Sequence, residues 1–123
     1  MEVQAISRNV RLSAQKGRPI ARKVRGMSVA NALRVTEFSP LKAAAVLGRT
    51  IKSAMANARH NNGLDVEALS VKLCVFDEGA RMRRMWPAAR GSGHPIARRL
   101  CHCKVVLTDG ATPPATPPES QES

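Results

Sequence analysis

One stretch of the sequence, residues 77–104, cannot form a core of its own, and this limits the folds open to the chain. Its few large apolar residues are widely spaced: Met82, Met85, Trp86, Ile96 and Leu100. Apolar residues alternate with other residues just before it, at 71–75, and just beyond it, at 101–107, as in strands with one buried face. The pattern predicts one long hairpin over about 77–104, which at about 3.3 Å per residue would project roughly 40 Å from the rest of the fold.

Positive charge is concentrated in the same part of the chain. Residues 81–108 contain seven Lys or Arg and no Asp or Glu, in a chain with 20 Lys+Arg, 9 Asp+Glu and a formal net charge of +11. Segments 1–40 and 41–60 are also basic, whereas 61–80 and 109–123 are net acidic. Clustered cations attract phosphates through counterion release, so RNA or DNA is the expected partner. The alternative, a basic surface that only keeps the chain soluble, explains the acid-free block less well because such a block repels itself.

Three helices are predicted between an N-terminal strand, residues 3–12, and the hairpin. The first runs towards Gly26 and begins at either Ser13 or Pro19, and the second begins after Ser28 and ends near Phe38. The third has Ser39 as its N-cap and stops at Asn61–Gly63. Its apolar stripe is expected to contain Leu41, Ala45, Gly48, Ile51, Met55 and Ala58.

These elements predict an α+β fold in which three helices pack on a small antiparallel sheet. We expect one domain over 1–109 and a disordered, Pro-rich tail over 110–123. The sequence has no apolar run of the roughly 20 residues that a membrane span needs and no signal-peptide pattern at its start. A cytoplasmic chain without a membrane partner is therefore expected, and a bacterial source is preferred, although an organelle remains open.

The sequence offers no catalytic constellation, because His60, His94 and His102 fall in different elements without a partnered nucleophile. Cys101-His102-Cys103 suggests a zinc site, but neighbouring residues on a strand point to opposite faces. His102 is then expected to face away from both thiols. Cys101 and Cys103 could share a face with Cys74, and the interior of the sheet is the favoured place for all three. We predict no enzyme activity and no cofactor.

Several ordered motifs along the chain are more specific than its composition. They are Arg11 with Ser13-Ala14-Gln15-Lys16; Ser53-Ala54, Ala56-Asn57-Ala58, His60-Asn61 and Gly63; Asp77-Glu78-Gly79, Met82-Arg83-Arg84, Pro87, Ala89 and Gly91; and His102 ahead of Val105-Val106-Leu107. In this order, and over about residues 5–109, they resemble the bacterial-type large-subunit ribosomal protein twenty-two family. The resemblance implies three helices on a small antiparallel sheet and a hairpin that runs along the peptide exit tunnel.

The resemblance also implies a function. The chain would be a structural constituent of the large ribosomal subunit that binds 23S-type ribosomal RNA, supports assembly, contacts other large-subunit proteins and lies beside the nascent peptide. The RNA-binding residues carried over from the family are Arg11, Ser13, Lys16, Arg81, Arg83, Arg84, Arg90, Arg98 and Arg99. The basic segments themselves add Arg8, Arg18, Arg49, Lys52, Arg59 and Lys104. The expected tip and tunnel residues are Met82, Arg83, Arg84, Trp86, Ala88, Arg90, Gly91, Ser92, Gly93 and His94.

Two other functions remain open from the sequence. A free basic protein that binds RNA or DNA outside the ribosome would have the same charge distribution. A small metalloprotein would use the three cysteines. Association with the large subunit separates the first alternative from a ribosomal protein, and retention of zinc through purification would favour the second.

Overall fold

Three strands and three helices make up the part of the chain that the computed structural model describes, residues 2–109. In chain order they are β1 (Glu2–Val10), α1 (Ala14–Val24), α2 (Val29–Phe38), α3 (Lys42–Asn62), β2 (Ser70–Pro87) and β3 (Gly93–Thr108). The predicted α+β class, with three helices and a long hairpin, is confirmed. None of the helices between residues 2 and 109 is long and apolar enough to cross a bilayer. The predicted tail, 110–123, lies outside the described residues.

The sheet has β3 in its middle, antiparallel to β1 on one side and to β2 on the other. β1 pairs with β3 from Glu2 to Val10, which lies opposite Cys101. β2 and β3 stay paired far beyond this point, up to Pro87 opposite Gly93. We call the two-stranded part, 79–87 with 93–100, the ribbon, and the rest of the described chain the globule. The ribbon is roughly 25 Å long at about 3.3 Å per residue, shorter than the expected 40 Å because β1 widens the lower part of the hairpin into a sheet.

Two irregularities mark the junction between the globule and the ribbon. The β1–β3 register shifts between Ser7 and Val10, and the β2–β3 register shifts between Glu78 and Arg81. In the first of these, Asn9 has a φ of 56°. Bulges bend a strand and increase its twist. They therefore bend the strands at the point where the ribbon leaves the sheet.

The helices cover one face of the sheet, and the side chains of that face alternate as the sequence predicted. Cys101, Cys103, Val105 and Leu107 of β3 are fully buried, whereas His102 between the first two is only partly buried. Cys74 is buried as well. The prediction that the three thiols occupy the interior, with His102 turned away, is therefore confirmed.

α1 approaches the sheet closely because Gly17 has no side chain. A Cβ on Gly17 would lie 2.7 Å from the ring of Phe76, which is 2 % exposed on β2. The helix begins at Ala14 and contains both Gly17 and Pro19, so the alternative start at Pro19 is wrong. Ser13 occupies the N-cap position, but its side chain makes no capping hydrogen bond.

The predicted N-cap is correct for α2 and wrong for α3. At α2 the prediction is confirmed, because Oγ of Ser28 accepts a hydrogen bond from the backbone N–H of Asn31. α3 begins later than predicted: its N-cap is Leu41, and Ser39 instead accepts a hydrogen bond from the N–H of Leu41.

The predicted apolar stripe of α3 was also partly wrong. Leu41 is 50 % exposed and Ala45 is exposed. The completely buried residues of the helix are instead Ala44, Leu47, Ile51, Ala54 and Ala58. The true stripe follows the same helical spacing but lies on an adjacent face, because alanines occur on most sides of this helix and leave its orientation to tertiary packing.

Candidate nucleic-acid interface

A cleft of about 920 Å³ lies between the globule and the ribbon, and it is lined by cations on both sides. The globule side is formed by the β1–α1 connection and the first turns of α1 and α3. The ribbon side is formed by β2 and β3. The lining cations are Arg11, Lys16 and Lys42 from the globule and Arg84, Arg98 and Arg99 from the ribbon.

The cleft cations are not neutralised by the protein itself. The ion pair found among residues 2–109 joins Lys72 to Glu2, away from the cleft. Lys42 donates a hydrogen bond to the carbonyl of Arg11 over 2.7 Å, which ties the start of α3 to the β1–α1 connection. Arg84 donates to the carbonyl of its neighbour Arg83 over 2.8 Å. Six cationic residues therefore line one space, and none of them has an ion-pair partner among residues 2–109.

A smaller cavity of about 170 Å³ continues from the cleft to the N-terminus of α1. Ser13 and Gln15 line it from the helix, and Arg81 and Arg99 line it from the ribbon. The two arginines lie directly opposite each other in the β2–β3 register. Glu78 also lines this cavity, and it is the one carboxylate among the groups that line the two spaces in the described chain.

The predicted site residues fall into separate groups. Arg11, Ser13, Lys16, Arg84, Arg98 and Arg99 come together in the cleft, and Arg81 joins the adjoining cavity. Arg83 lies beside Arg84 on β2 and Arg90 lies in the loop at the end of the ribbon, and both are exposed. Arg8 is exposed on β1, and Arg49, Lys52 and Arg59 are exposed on α3. Lys104 lines a shallow depression on the outer face of the sheet with Lys72 and Leu73.

Sequence reasoning missed two features of this surface. Lys42 belongs to the cleft, and the signal for it was its place in the first turn of a helix whose start was predicted two residues too early. The second feature is a basic groove to which Arg22 and Arg25 contribute. Arg18, which was predicted as an RNA-binding residue, lines the same groove. Arg25 is held there, because its Nη2 donates to the carbonyl of Cys74 over 3.0 Å.

The far end of the ribbon presents apolar surface to solvent. Met85 is 70 % exposed and Trp86 is 58 % exposed. The connecting loop is closed by a 2.7 Å hydrogen bond from the N–H of Ala88 to the carbonyl of Ser92. Arg90 and Gly91 both have positive φ in this loop, 59° and 73°. All predicted tip residues except Met82 and Ala88, which are half-buried, are exposed.

The three thiols are not arranged for metal binding or nucleophilic chemistry. Burial raises the pKa of Cys74 to about 12, with the nearby Cys103 as a second cause. Burial likewise raises the pKa of Cys103 to about 11, against a hydrogen bond with Thr50 that lowers it. A thiol with a raised pKa is a poor nucleophile at neutral pH. Within residues 2–109, no three His, Cys, Asp or Glu side chains form a group that could hold a metal ion.

Comparison with known proteins assigns this fold and charge distribution to a family. Residues 5–108 match the family described as ribosomal protein L22p/L17e. The chain is 44% identical over 109 residues to the large ribosomal subunit protein uL22 of Thermotoga sp. (strain RQ2), an alignment that covers 89% of this chain and 69% of the relative. Its identity to the protein of the same name from Thermosipho africanus is 42% over 108 residues, covering 88% and 73%. With that of Akkermansia muciniphila it is 44% over 109 residues, covering 89% and 97%.

These matches span nearly all of the described chain, including both walls of the cleft and the whole ribbon. The family description and the names of the relatives refer to a component of the ribosome. The chain therefore belongs to the family of ribosomal protein L22p/L17e, a family of structural ribosomal proteins.

Proposed function

We propose that the protein is a structural constituent of the large ribosomal subunit that binds 23S-type ribosomal RNA and supports subunit assembly. The observation that carries the proposal is the cleft, where six cations from the globule and the ribbon share one space without an ion-pair partner among the described residues. Phosphates of a folded RNA supply the missing negative charge, and arginine offers them paired donors. The relatives' names place those proteins in the large subunit.

The ribbon has a second role in this proposal, which is to line the peptide exit tunnel with its tip. A two-stranded ribbon is only marginally stable in water by itself. Its five arginines are exposed along its length: Arg81, Arg83, Arg84, Arg98 and Arg99. RNA on its sides would therefore hold it in place. The tip then presents Trp86 and the 88–92 loop to the nascent peptide or to a neighbouring large-subunit protein.

Sedimentation of a native lysate, with a high-salt wash and mass-spectrometric detection of the chain, tests the assignment to the subunit. We expect near-stoichiometric recovery with the large subunit after the wash. Recovery at the top of the gradient would contradict the proposal and favour a basic protein that binds RNA or DNA outside the ribosome.

RNA binding by the ribbon is tested with Arg83→Ala and Arg84→Ala on a 23S-type transcript at several salt concentrations. Each lost phosphate contact is expected to reduce the salt slope of binding by about 0.7 to 0.9. Lys72→Ala is the matched control, because Lys72 is paired with Glu2 on the outer face of the sheet. Equal slopes for all three variants and the original chain would remove both arginines from the phosphate-binding set.

The tunnel role is tested by crosslinking with the chain assembled into large subunits. Because the three native thiols are buried, Ser92→Cys places a reactive thiol at the tip, and Ser53→Cys places one on the exposed face of α3. We expect a thiol-reactive crosslinker to join a stalled nascent peptide to the tip variant and not to the α3 variant. A peptide that crosslinks to neither, in subunits that contain the protein, contradicts this role.

A further inference from the structure

The two walls of the cleft belong to parts of the protein that are joined only at the ribbon's base. β1 makes its last pair with β3 at Cys101. Beyond that residue, the ribbon is held by β2–β3 pairing alone. Among residues 2–109, no hydrogen bond or ion pair connects Arg84, Arg98 or Arg99 of the ribbon to the globule side of the cleft.

Repulsion acts between these walls in the free protein. Three cations on each side line a common space, and bringing like charges closer together raises the energy of any closed arrangement. A polyanion placed between them reverses this effect because each phosphate attracts both walls at once. The direction of the ribbon relative to the globule is therefore coupled to what occupies the cleft.

The cleft also carries apolar surface that a simple phosphate site does not need. Pro19, Leu41 and Ala97 line it together with the cations, and all three side chains are exposed. In RNA, sugars and unstacked bases provide the surfaces that such side chains contact, while the phosphates contact Arg and Lys. The lining thus matches both chemical parts of a nucleotide.

The size of the cleft selects one strand over a double helix. A space of about 920 Å³ measures roughly 10 Å in each direction if its sides are equal. An A-form RNA duplex is wider than this, because its wide, shallow minor groove is only part of its width. One strand of RNA can therefore lie between the walls, but a duplex can contact only their outer edges.

We propose that a single-stranded segment of ribosomal RNA lies in this cleft and braces the ribbon against the globule, so that the RNA sets the direction of the ribbon. This inference rests on the proposed binding of 23S-type RNA and adds to it the bound form of the RNA and a mechanical consequence. Arg11 and Lys16 hold the strand from the globule, and Arg98 and Arg99 hold it from the ribbon.

The experiment measures the direction of the ribbon directly. Spin labels on the variant Ser53→Cys/Ser92→Cys report the distance between α3 and the tip, and a deproteinised 23S-type transcript is the probe. We expect a broad distance distribution in the free protein and a narrower one with the transcript. A 12-nucleotide oligouridine at high concentration should narrow it as well, whereas a 12-base-pair RNA duplex should not.

Two wall variants and a matched control distinguish an effect of RNA bound between the cleft walls from an effect of the protein's total positive charge. Arg11→Gln/Lys16→Gln changes the globule wall, and Arg98→Gln/Arg99→Gln changes the ribbon wall. Lys23→Gln/Arg34→Gln removes the same charge from exposed residues outside the cleft. We expect both wall variants to bind the transcript with a salt slope lower by more than one unit and to keep the broad distribution. In the control variant, the transcript should narrow the distance distribution as it does in the original chain.

A charge-conserving variant shows whether the walls act through charge rather than through folding. Arg98→Lys/Arg99→Lys should regain the narrow distribution. Binding of the transcript without narrowing in the original chain, or normal narrowing in both wall variants, overturns the brace and leaves the proposed function standing. No binding of the transcript by the original chain overturns both.

Discussion

The backbone N–H of Asn9 donates a hydrogen bond to Nδ1 of His102 over 3.1 Å. This contact lies where the third strand ends and the ribbon begins. On the other side of the ring, a Cβ on Gly79 would lie 3.0 Å from Nε2 of His102. Because Nδ1 accepts a hydrogen bond, the proton of the neutral ring is on Nε2. His102 therefore links the bulge of β1 to β3 at the root of the ribbon.

Replacing His102 with Leu is expected to lower the free energy of unfolding by about 0.5–1.5 kcal/mol, because the Asn9 N–H loses its acceptor. Hydrogen exchange at the Asn9 amide, followed by NMR, measures this loss. His60→Leu, on an exposed helix end, is the control, and equal Asn9 exchange in the two variants would contradict the assignment.

Replacing Gly17 with Ala should destabilise the fold although alanine favours helices. The new Cβ would lie 2.7 Å from the Phe76 ring, and overpacking of this kind costs about 1–3 kcal/mol, against a gain of about 1 kcal/mol in helix propensity. Urea denaturation measures the net change in the free energy of unfolding. Combining Gly17→Ala with Phe76→Leu should recover part of the loss, and a Gly17→Ala protein more stable than the original would show that α1 packs farther from β2.

The buried face of α3 can be checked with two leucines on the same helix end. Leu47 is completely buried and Leu41 is 50 % exposed. Leu47→Ala should lower the free energy of unfolding by about 2–5 kcal/mol, and Leu41→Ala should lower it by less than about 1 kcal/mol. Denaturant unfolding measures both losses. Similar losses for the two variants would contradict the observed buried face and support the apolar stripe that the sequence predicted.

The thiols make the protein sensitive to alkali. Burial raises the pKa of Cys74 to about 12 in the folded state, from an ordinary value of 9.0, so above about pH 9 the thiol ionises in the unfolded chain first. The contribution of the neutral Cys74 thiol to the free energy of unfolding is fully present below pH 9. It falls as the pH rises towards 12, by at most about 1.4 kcal/mol per pH unit. Unfolding of the original chain and of Cys74→Ala between pH 8 and 10.5 measures the effect. The variant should show the shallower decline, and parallel curves would contradict the role of Cys74.

Much of the fold could be predicted from local patterns. Alternation of small apolar residues located the inner face of β3 correctly, including the thiols, and Ser28 marked the start of α2. These signals work because they depend on the period of one element or on one capping side chain. The start of α3 was wrong because Ser39-Pro40 resembles a helix start, while the chain stays extended up to Leu41.

The cleft could not be predicted from the sequence alone. Lys16, Lys42 and Arg98 are far apart in the chain, and their meeting depends on the direction of the ribbon. The ribbon bends away from the sheet at bulges near Asn9 and Gly79, and the alternation of residues does not reveal a bulge. The sequence therefore identified most of the cations but not which of them face the same space.

The position of β3 has a consequence for the synthesis of the protein itself. β1 and β2 both bond to β3 and are separated by it, and Glu2 pairs with Thr108. A growing chain therefore holds all three helices and two strands before the strand that unites them has been translated. The sheet closes in a late step that joins the two ends of the described chain, so contacts of this kind make folding slow compared with the rapid formation of the helices.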